Sequence, residues 1–353
     1  VNRTSFWNQY GDPTETRSSV ATTYIPDALA TGNFEVRADS FVKEVTVDRN
    51  GKATGVIYIA PDGSEHEQKA QVVILALGAI ESSRLMLMSK SPRFPDGISN
   101  DSGLVGRNAT FHEYLFAVGL FDREVSPALN GFTGNYQSGG SMHFYETDYD
   151  RGHIGGGIIA TTQIGQPINP ILPGKPIWGD AAKDADRDYF LHSMKIGMIL
   201  QDLPQESNRV DLDPIVKDRW GMPVARITNK PHKNDTAMSK WQINKNVEIL
   251  EAAGAVRTMP VYLGEEFTGN SCHQHGTVRM GADSTKSVLN EWAQSHSVPN
   301  LFVLDGSGFS TALGVNPTLT IMAHSWRAAE YIANTHLKGR SERLALDPVS
   351  LSN

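Results

Sequence analysis

The chain has 353 residues, 39% hydrophobic and 20% charged, which suits a globular protein of two domains with a sizeable core. A net charge of −7 without any long basic run argues against nucleic acid as a main partner, because phosphate binding needs a concentrated cationic surface. One cysteine, Cys272, excludes an internal disulfide framework, and no uninterrupted apolar stretch is long enough to span a bilayer.

The opening segment, VNRTSFWNQYGDPTETRSSVATTY, carries no signal-peptide pattern and does not begin with Met. It reads as the interior of a longer protein. Residues near Val20 to Ala30 predict a short helix, stopped by Thr31-Gly32-Asn33. Three strand-like pieces follow: FEVRAD, FVKEVTVD and ATGVIYIA. Asn50-Gly51 supplies a hairpin turn between the last two, and Asp62-Gly63 marks a further turn. Val72 to Ala76 is a continuous apolar run, the pattern of a buried strand. Gly78-Ala79 is the turn after it, and Ile80 to Ser89 predicts a helix. A loop rich in Pro, Gly, Asn and Ser covers 92–103.

From Asn108 to Tyr262 short strands alternate with polar loops, the pattern of a second domain built on an antiparallel sheet. Asp235 to Ala253 reads as one amphipathic helix ending at Gly254. After Gly269 the first style returns: loop, strand, loop, helix. The simplest layout is one α/β domain interrupted by an insertion, α+β overall. Residues 1–107 form the first part, 108–265 the substrate domain and 266–340 the closing part. Gly155-Gly156-Gly157 reads as a strand bend, since no helix start follows it.

Chemistry concentrates near the C-terminus. The strand LFVLDGSG ends in Asp305-Gly306, placing a carboxylate and a close-approach glycine at the C-terminal sheet edge, where α/β ligands bind. Asn316-Pro317-Thr318 then opens a helix, with Asn as N-cap and Pro at the first helical position. A helix start offers free N–H groups and a partial positive charge, suited to an oxygen that gains negative charge. In SCHQHGTVRMG, His273 can take or give a proton at neutral pH. A lone histidine is more often structural, but the following Gly276-Thr277 exposes backbone. His275, two residues on, is the rival, and spacing alone does not choose between them. Metal binding by Cys272, His273 and His275 lacks a second cluster to supply further ligands.

Taken together, SCHQHGTVRMG and NLFVLDGSGFSTALGVNPTLTIMAHSWRAAEYI resemble the C-terminal signature of the glucose–methanol–choline (GMC) flavin oxidoreductases. The resemblance implies FAD as cofactor. It also implies a His–Asn active-site pair in which His273 accepts the substrate hydroxyl proton and Asn316 orients that oxygen. Asp305 and Gly306 then lie beside the ribityl and phosphate groups, and Pro317 and Thr318 beside the isoalloxazine. Three more segments are similar. FVKEV puts Val42 at the adenine, VVILALGAIESSRLMLMS puts Ala76, Gly78 and Ala79 near FAD, and GLVGRNATFHE aligns Val105, Gly106, Asn108 and His112. Phe111 departs from the usual Asp, and His112 reads as a hydrogen-bonded loop histidine. The family's N-terminal βαβ unit, with its G-x-G-x-x-G, is absent before Val42, so the resemblance covers the later two-thirds of the usual length.

The implied activity is hydride transfer from a carbinol carbon of an alcohol, polyol or sugar to flavin N5. Residues 203–235 resemble bacterial sugar and sugar-acid dehydrogenases, which implies a quinone or cytochrome as electron acceptor, a small or cytochrome subunit as partner, and a periplasmic setting. Two rivals remain: a hydroxynitrile-type lyase on the same fold, and a flavin-free binding domain.

Overall fold

The computed structural model describes residues 18–122, 139–163, 175–189, 192–261 and 271–337. Most of the opening segment and residues 164–174 of the predicted loop series lie outside the described residues.

Helix α1 spans Tyr24–Ala30. Strands β1 (Phe41–Val47) and β2 (Ala53–Ile59) pair antiparallel around the Asn50-Gly51 turn. The Asp48 carboxylate pins that turn by accepting the N–H groups of Asn50 and Lys52. β3 (Glu65–Lys69) completes the sheet in the order β1-β2-β3. The predicted strand FEVRAD is irregular instead, and its Phe34 and Val36 are exposed. Strand patterning has no effect without a partner edge, and β1 pairs with β2 instead. β4 (Val73–Leu75) leads into helix α2 (Gly78–Met88), two residues earlier than predicted.

The middle of the chain supplies β5 (Arg107–Phe111), β6 (Glu113–Leu120), β7 (Gly139–Ser141) and β8 (Gly157–Gln163). Helix α3 (Asp180–Tyr189) follows, then β9 (Ser193–Leu200), β10 (Arg209–Lys217) and β11 (Pro223–Thr228). Helix α4 (Lys233–Ala252) opens with a reciprocal cap in which His232 accepts from the Asn234 N–H and Asp235 accepts from the His232 N–H. β12 (Arg257–Val261), β13 (Gln274–Thr277), β14 (Leu301–Val303) and helix α5 (Thr318–Thr335) complete the order.

A five-stranded antiparallel sheet runs β12-β6-β9-β8-β7, and α4 packs on it through Met238, Ile243 and Leu250. A four-stranded sheet, β11-β10-β5-β13, joins strands at the start and within the predicted insertion to β13, which lies beyond it. β14 and β4 pair in parallel, which carries the end of the chain back to its first third.

The larger core joins β1, β2, β4, α2 and β14 through Val45, Leu75, Leu85, Met86, Ile98, Leu289 and Leu301. Each fully buried side chain of this size contributes roughly 1.5–3 kcal/mol. Buried Asn300 holds the core's two ends together. It accepts the Ala53 N–H at 2.9 Å and donates to the Ala53 and Gln71 carbonyls, each at 2.8 Å. Arg84 on α2 reaches across to the β10–β11 hairpin, bonding the Pro223 carbonyl at 2.8 Å and Asp218 at 2.6 Å. On the β4–β14 pair, Ile74 is 48% exposed while its register partner Phe302 is buried against Tyr331 and His336, and Leu319 and Trp326 of α5 are exposed as well. Among the described residues no helix is long and apolar enough to cross a membrane.

Candidate active site

Three backbone features meet at one place: the bulge in β13, the loop after β14 and the start of α5. The bulge comes first. Gly276 and Thr277 both adopt left-handed backbone, with φ of 74° and 69°, and the β13–β5 register shifts there. A β-carbon at position 276 would run into the Asn108 carbonyl, so the predicted tight turn needs its glycine. Thr277 turns its hydroxyl onto the Ala79 carbonyl at 2.8 Å, tying the bulge to the first turn of α2.

His273 stands just before this bulge, half-buried, with its N–H bonded to the Ser271 hydroxyl at 2.9 Å. Its Nε2 lies 3.3 Å from Nδ2 of Asn316, and its Nδ1 lies 2.8 Å from Nδ1 of His112. The first contact unites two of the predicted site residues. The second gives the expected hydrogen-bonded loop histidine a partner that the sequence does not name: His112 lies between β5 and β6, and its buried ring stands edge-on to His273 with centroids 5.0 Å apart. Its place in GLVGRNATFHE was the one available signal, and the contact spans 161 positions of sequence. His275 is the third ring, fully buried, 4.8 Å from His112 and stacked on Phe309 at 5.4 Å.

Burial holds all three imidazoles neutral. His112 is pushed down to about 3 and His275 to about 4, in each case first by desolvation and then by neighbouring histidine charge. Desolvation also lowers His273. Of the three, His273 is the most exposed, and its Nε2 faces exposed Asn316. This neutral ring can therefore accept a proton from an incoming hydroxyl. Cys272 is exposed, and among the described residues no group of three or more His, Cys, Asp or Glu is arranged to hold a metal ion.

The helix start differs from the expected one. α5 begins at Thr318 with Pro317 in the cap position and no side-chain cap. Asn316 is not the cap, because its amide is turned to His273. The free N–H groups of the first turn therefore remain available to an oxygen with negative charge. Asp305 sits half-buried after β14. Its Oδ2 accepts the Gly78 N–H at 2.9 Å and the Ser82 hydroxyl at 2.5 Å, and its Oδ1 accepts the Ser307 N–H at 2.8 Å. The carboxylate thus fixes Gly78 and Ala79 at the start of α2. This bond also explains why α2 begins two residues before the predicted start. Ser82 was not anticipated. Gly306 packs beneath the Gln274 carbonyl, and Ala76 is exposed at the end of β4. Val42 lies apart from these on β1, half-buried at the rim of the larger core.

These residues fit a flavin dinucleotide. Exposed Ile74, Leu77 and Leu319 offer apolar side chains, the uncapped α5 start offers donors for an electron-rich ring edge, and nothing crowds Gly78.

A family model described as GMC oxidoreductase matches residues 4–114, and a second of the same description matches residues 204–325. The 2-methyl-1,2-propanediol dehydrogenase of Mycolicibacterium austroafricanum is 36% identical over 333 residues, covering 92% of this chain and 58% of the relative. The gluconate 2-dehydrogenase flavoprotein of Pantoea cypripedii is 30% identical, covering 86% of this chain and 51% of the relative. The chain thus spans little more than half the length of these relatives. Among solved structures, a formate oxidase of Aspergillus oryzae superposes with a TM-score of 0.59 at 16% identity, covering 85% of this chain and 60% of that one. The GMC family consists of FAD flavoproteins. With family models of one description matching residues 4–114 and 204–325, the second holding both His273 and Asn316, the chain belongs to the GMC oxidoreductases.

Proposed function

We propose that this chain, with FAD bound, oxidises a CH–OH group of a small alcohol, polyol or sugar. One observation carries the reading: His273 Nε2 and Asn316 Nδ2 lie 3.3 Å apart beside the uncapped start of α5. FAD supplies the hydride acceptor. Neutral His273 takes the hydroxyl proton as the hydride leaves the same carbon, and Asn316 donates to the substrate oxygen and orients it. The first-turn N–H groups of α5 would favour negative charge on a flavin bound there. Gly78, Ala79, Asp305, Gly306, Pro317 and Thr318 shape the cofactor's seat, with Ala76 and Val42 at its margins.

The test is anaerobic flavin bleaching. FAD-loaded protein should lose its visible absorbance when a reactive alcohol or sugar is added. His273→Ala should slow this by roughly 10²–10⁴-fold. Near-normal bleaching in that variant would overturn the assignment.

Finer parts of the reading rest on resemblance. Residues 203–235 resemble sugar-acid dehydrogenases, and one relative is named as the flavoprotein of gluconate 2-dehydrogenase. Both support a dehydrogenase, and the word flavoprotein in that name supports a partner subunit; a quinone or cytochrome acceptor and a periplasmic setting complete the proposal on the resemblance alone. The division into 1–107, 108–265 and 266–340 belongs to the same reading. It is supported by the five-stranded sheet, all of whose strands fall between Glu113 and Val261.

A further inference from the structure

We propose that His112 is a positioning residue that fixes the ring proton of His273 on Nδ1, leaving Nε2 as the free base beside Asn316. The proposal deepens the reading above and rests on it.

Two imidazole nitrogens 2.8 Å apart share one proton: one donates and the other accepts. Both rings are neutral, so each carries a single N–H. Two wirings satisfy this. In the first, His273 Nδ1–H donates to bare Nδ1 of His112, whose proton is then on Nε2. His273 Nε2 is bare and accepts from the Asn316 amide. In the second, every proton is reversed: His112 donates, His273 Nε2 carries hydrogen, and the Asn316 amide is flipped to accept. Only the first leaves a lone pair where a substrate hydroxyl could deliver its proton.

The placement of Asn316 favours the first. Its amide nitrogen can only donate, so His273 Nε2, 3.3 Å away, accepts and is bare. The proton of His273 is then on Nδ1 and is donated to Nδ1 of His112. His112 keeps its own proton on Nε2, a buried nitrogen that has no other hydrogen-bond partner. The edge-on geometry, with ring planes at 82°, suits one in-plane N–H pointing at one lone pair. The titratable groups facing His112 are His273 and His275. His275 does not compete for the proton, because neither of its nitrogens has a hydrogen-bond partner and its ring stacks on Phe309. When His273 Nε2 takes the hydroxyl proton, Nδ1–H keeps its bond to His112, and the new positive charge is held against a neutral acceptor.

The test reads the tautomer directly. Long-range ¹⁵N–¹H correlation spectra of the histidine-labelled 353-residue chain, with His273 assigned by its loss in His273→Ala, should show His273 protonated at Nδ1. In His112→Phe, which keeps a ring and removes the acceptor, His273 should shift toward Nε2–H. His112→Asn, whose amide oxygen can replace Nδ1 as acceptor, should restore the wild-type pattern. In the FAD-loaded enzyme, kcat should fall roughly 10–100-fold in His112→Phe and less than about tenfold in His112→Asn, with KM little changed. Nε2–H on His273 in the wild-type protein would overturn the proposal even if no variant folds, and so would an unchanged tautomer in His112→Phe. A large loss in His273→Ala with an unchanged His112→Phe tautomer would sink this inference alone. Near-normal turnover of His273→Ala would sink the base assignment, and this inference with it, whatever the tautomer.

Discussion

His273 is chemically useful because it is only half-buried. A fully buried imidazole such as His275 is neutral but cannot meet a substrate, and an exposed one is partly protonated near pH 6.5. Desolvation depresses His273, so it stays a base into mildly acidic solution. The rate of flavin reduction at low alcohol concentration should therefore fall on the acid side with an apparent pKa below 6.5. An acid limb above 6.5 would show that another group carries the proton. The His273–Asn316 pair could be named in the sequence because both residues lie within recognisable segments. The His112 contact could not, since a histidine at the end of one strand says nothing about which ring it will meet 161 positions later.

At the scale of elements, two short devices hold the site in place. The first is the β13 bulge. Gly276→Ala would force a side chain into left-handed backbone, with its β-carbon against the Asn108 carbonyl. The strain alone should cost about 1–3 kcal/mol, read as a lower unfolding midpoint and weakened flavin retention. The second is Arg84, which is mostly buried and bonds Asp218, Glu81 and the Pro223 carbonyl. Its charge-assisted bonds outweigh the desolvation that opposes them. Arg84→Met should cost about 1.5–3 kcal/mol in denaturant unfolding, since Asp218 can recover some water but the Pro223 carbonyl loses its donor. Element types were mostly legible: β1, β2, α2 and α4 follow their apolar patterns and turn residues. β3 was not, because EHEQK is wholly polar and exposed and becomes a strand only by pairing with β2. FEVRAD failed in the opposite sense, as a strand-like pattern without a partner.

Across the whole molecule, two buried groups oppose each other in acid. Burial raises Glu113 to about 8, aided by Asp235, and raises Asp202 despite the Phe111 N–H bonded to it. A carboxyl raised in the folded state contributes stability at low pH, and that contribution is lost as pH rises toward the folded value. His112 and His275 are depressed, so their contribution is present above pH 6.5 and is lost as pH falls. Between about pH 4.5 and 6.5 the two effects offset each other. Above pH 6.5 only the carboxyls titrate, and stability should fall. Glu113 alone should account for about 2 kcal/mol between pH 6.5 and 8. Glu113→Gln should therefore raise the unfolding temperature more at pH 8 than at pH 5.5. An equal effect at both values would show that Glu113 is not protonated in the folded protein.

The sequence by itself determined the family, the cofactor and the alternation of α/β and antiparallel segments. Those properties reside in local patterns: apolar runs, turn glycines, and a histidine or asparagine at fixed spacing from its neighbours. Only the tertiary structure decided how the site is held. It spent Asn316 on His273 instead of the helix cap, engaged Asp305 with Gly78 and Ser82, and set His112 against the proposed base. Each of these is a hydrogen bond between groups 43 to 227 residues apart, and such bonds depend on strand pairing and burial that no local pattern encodes.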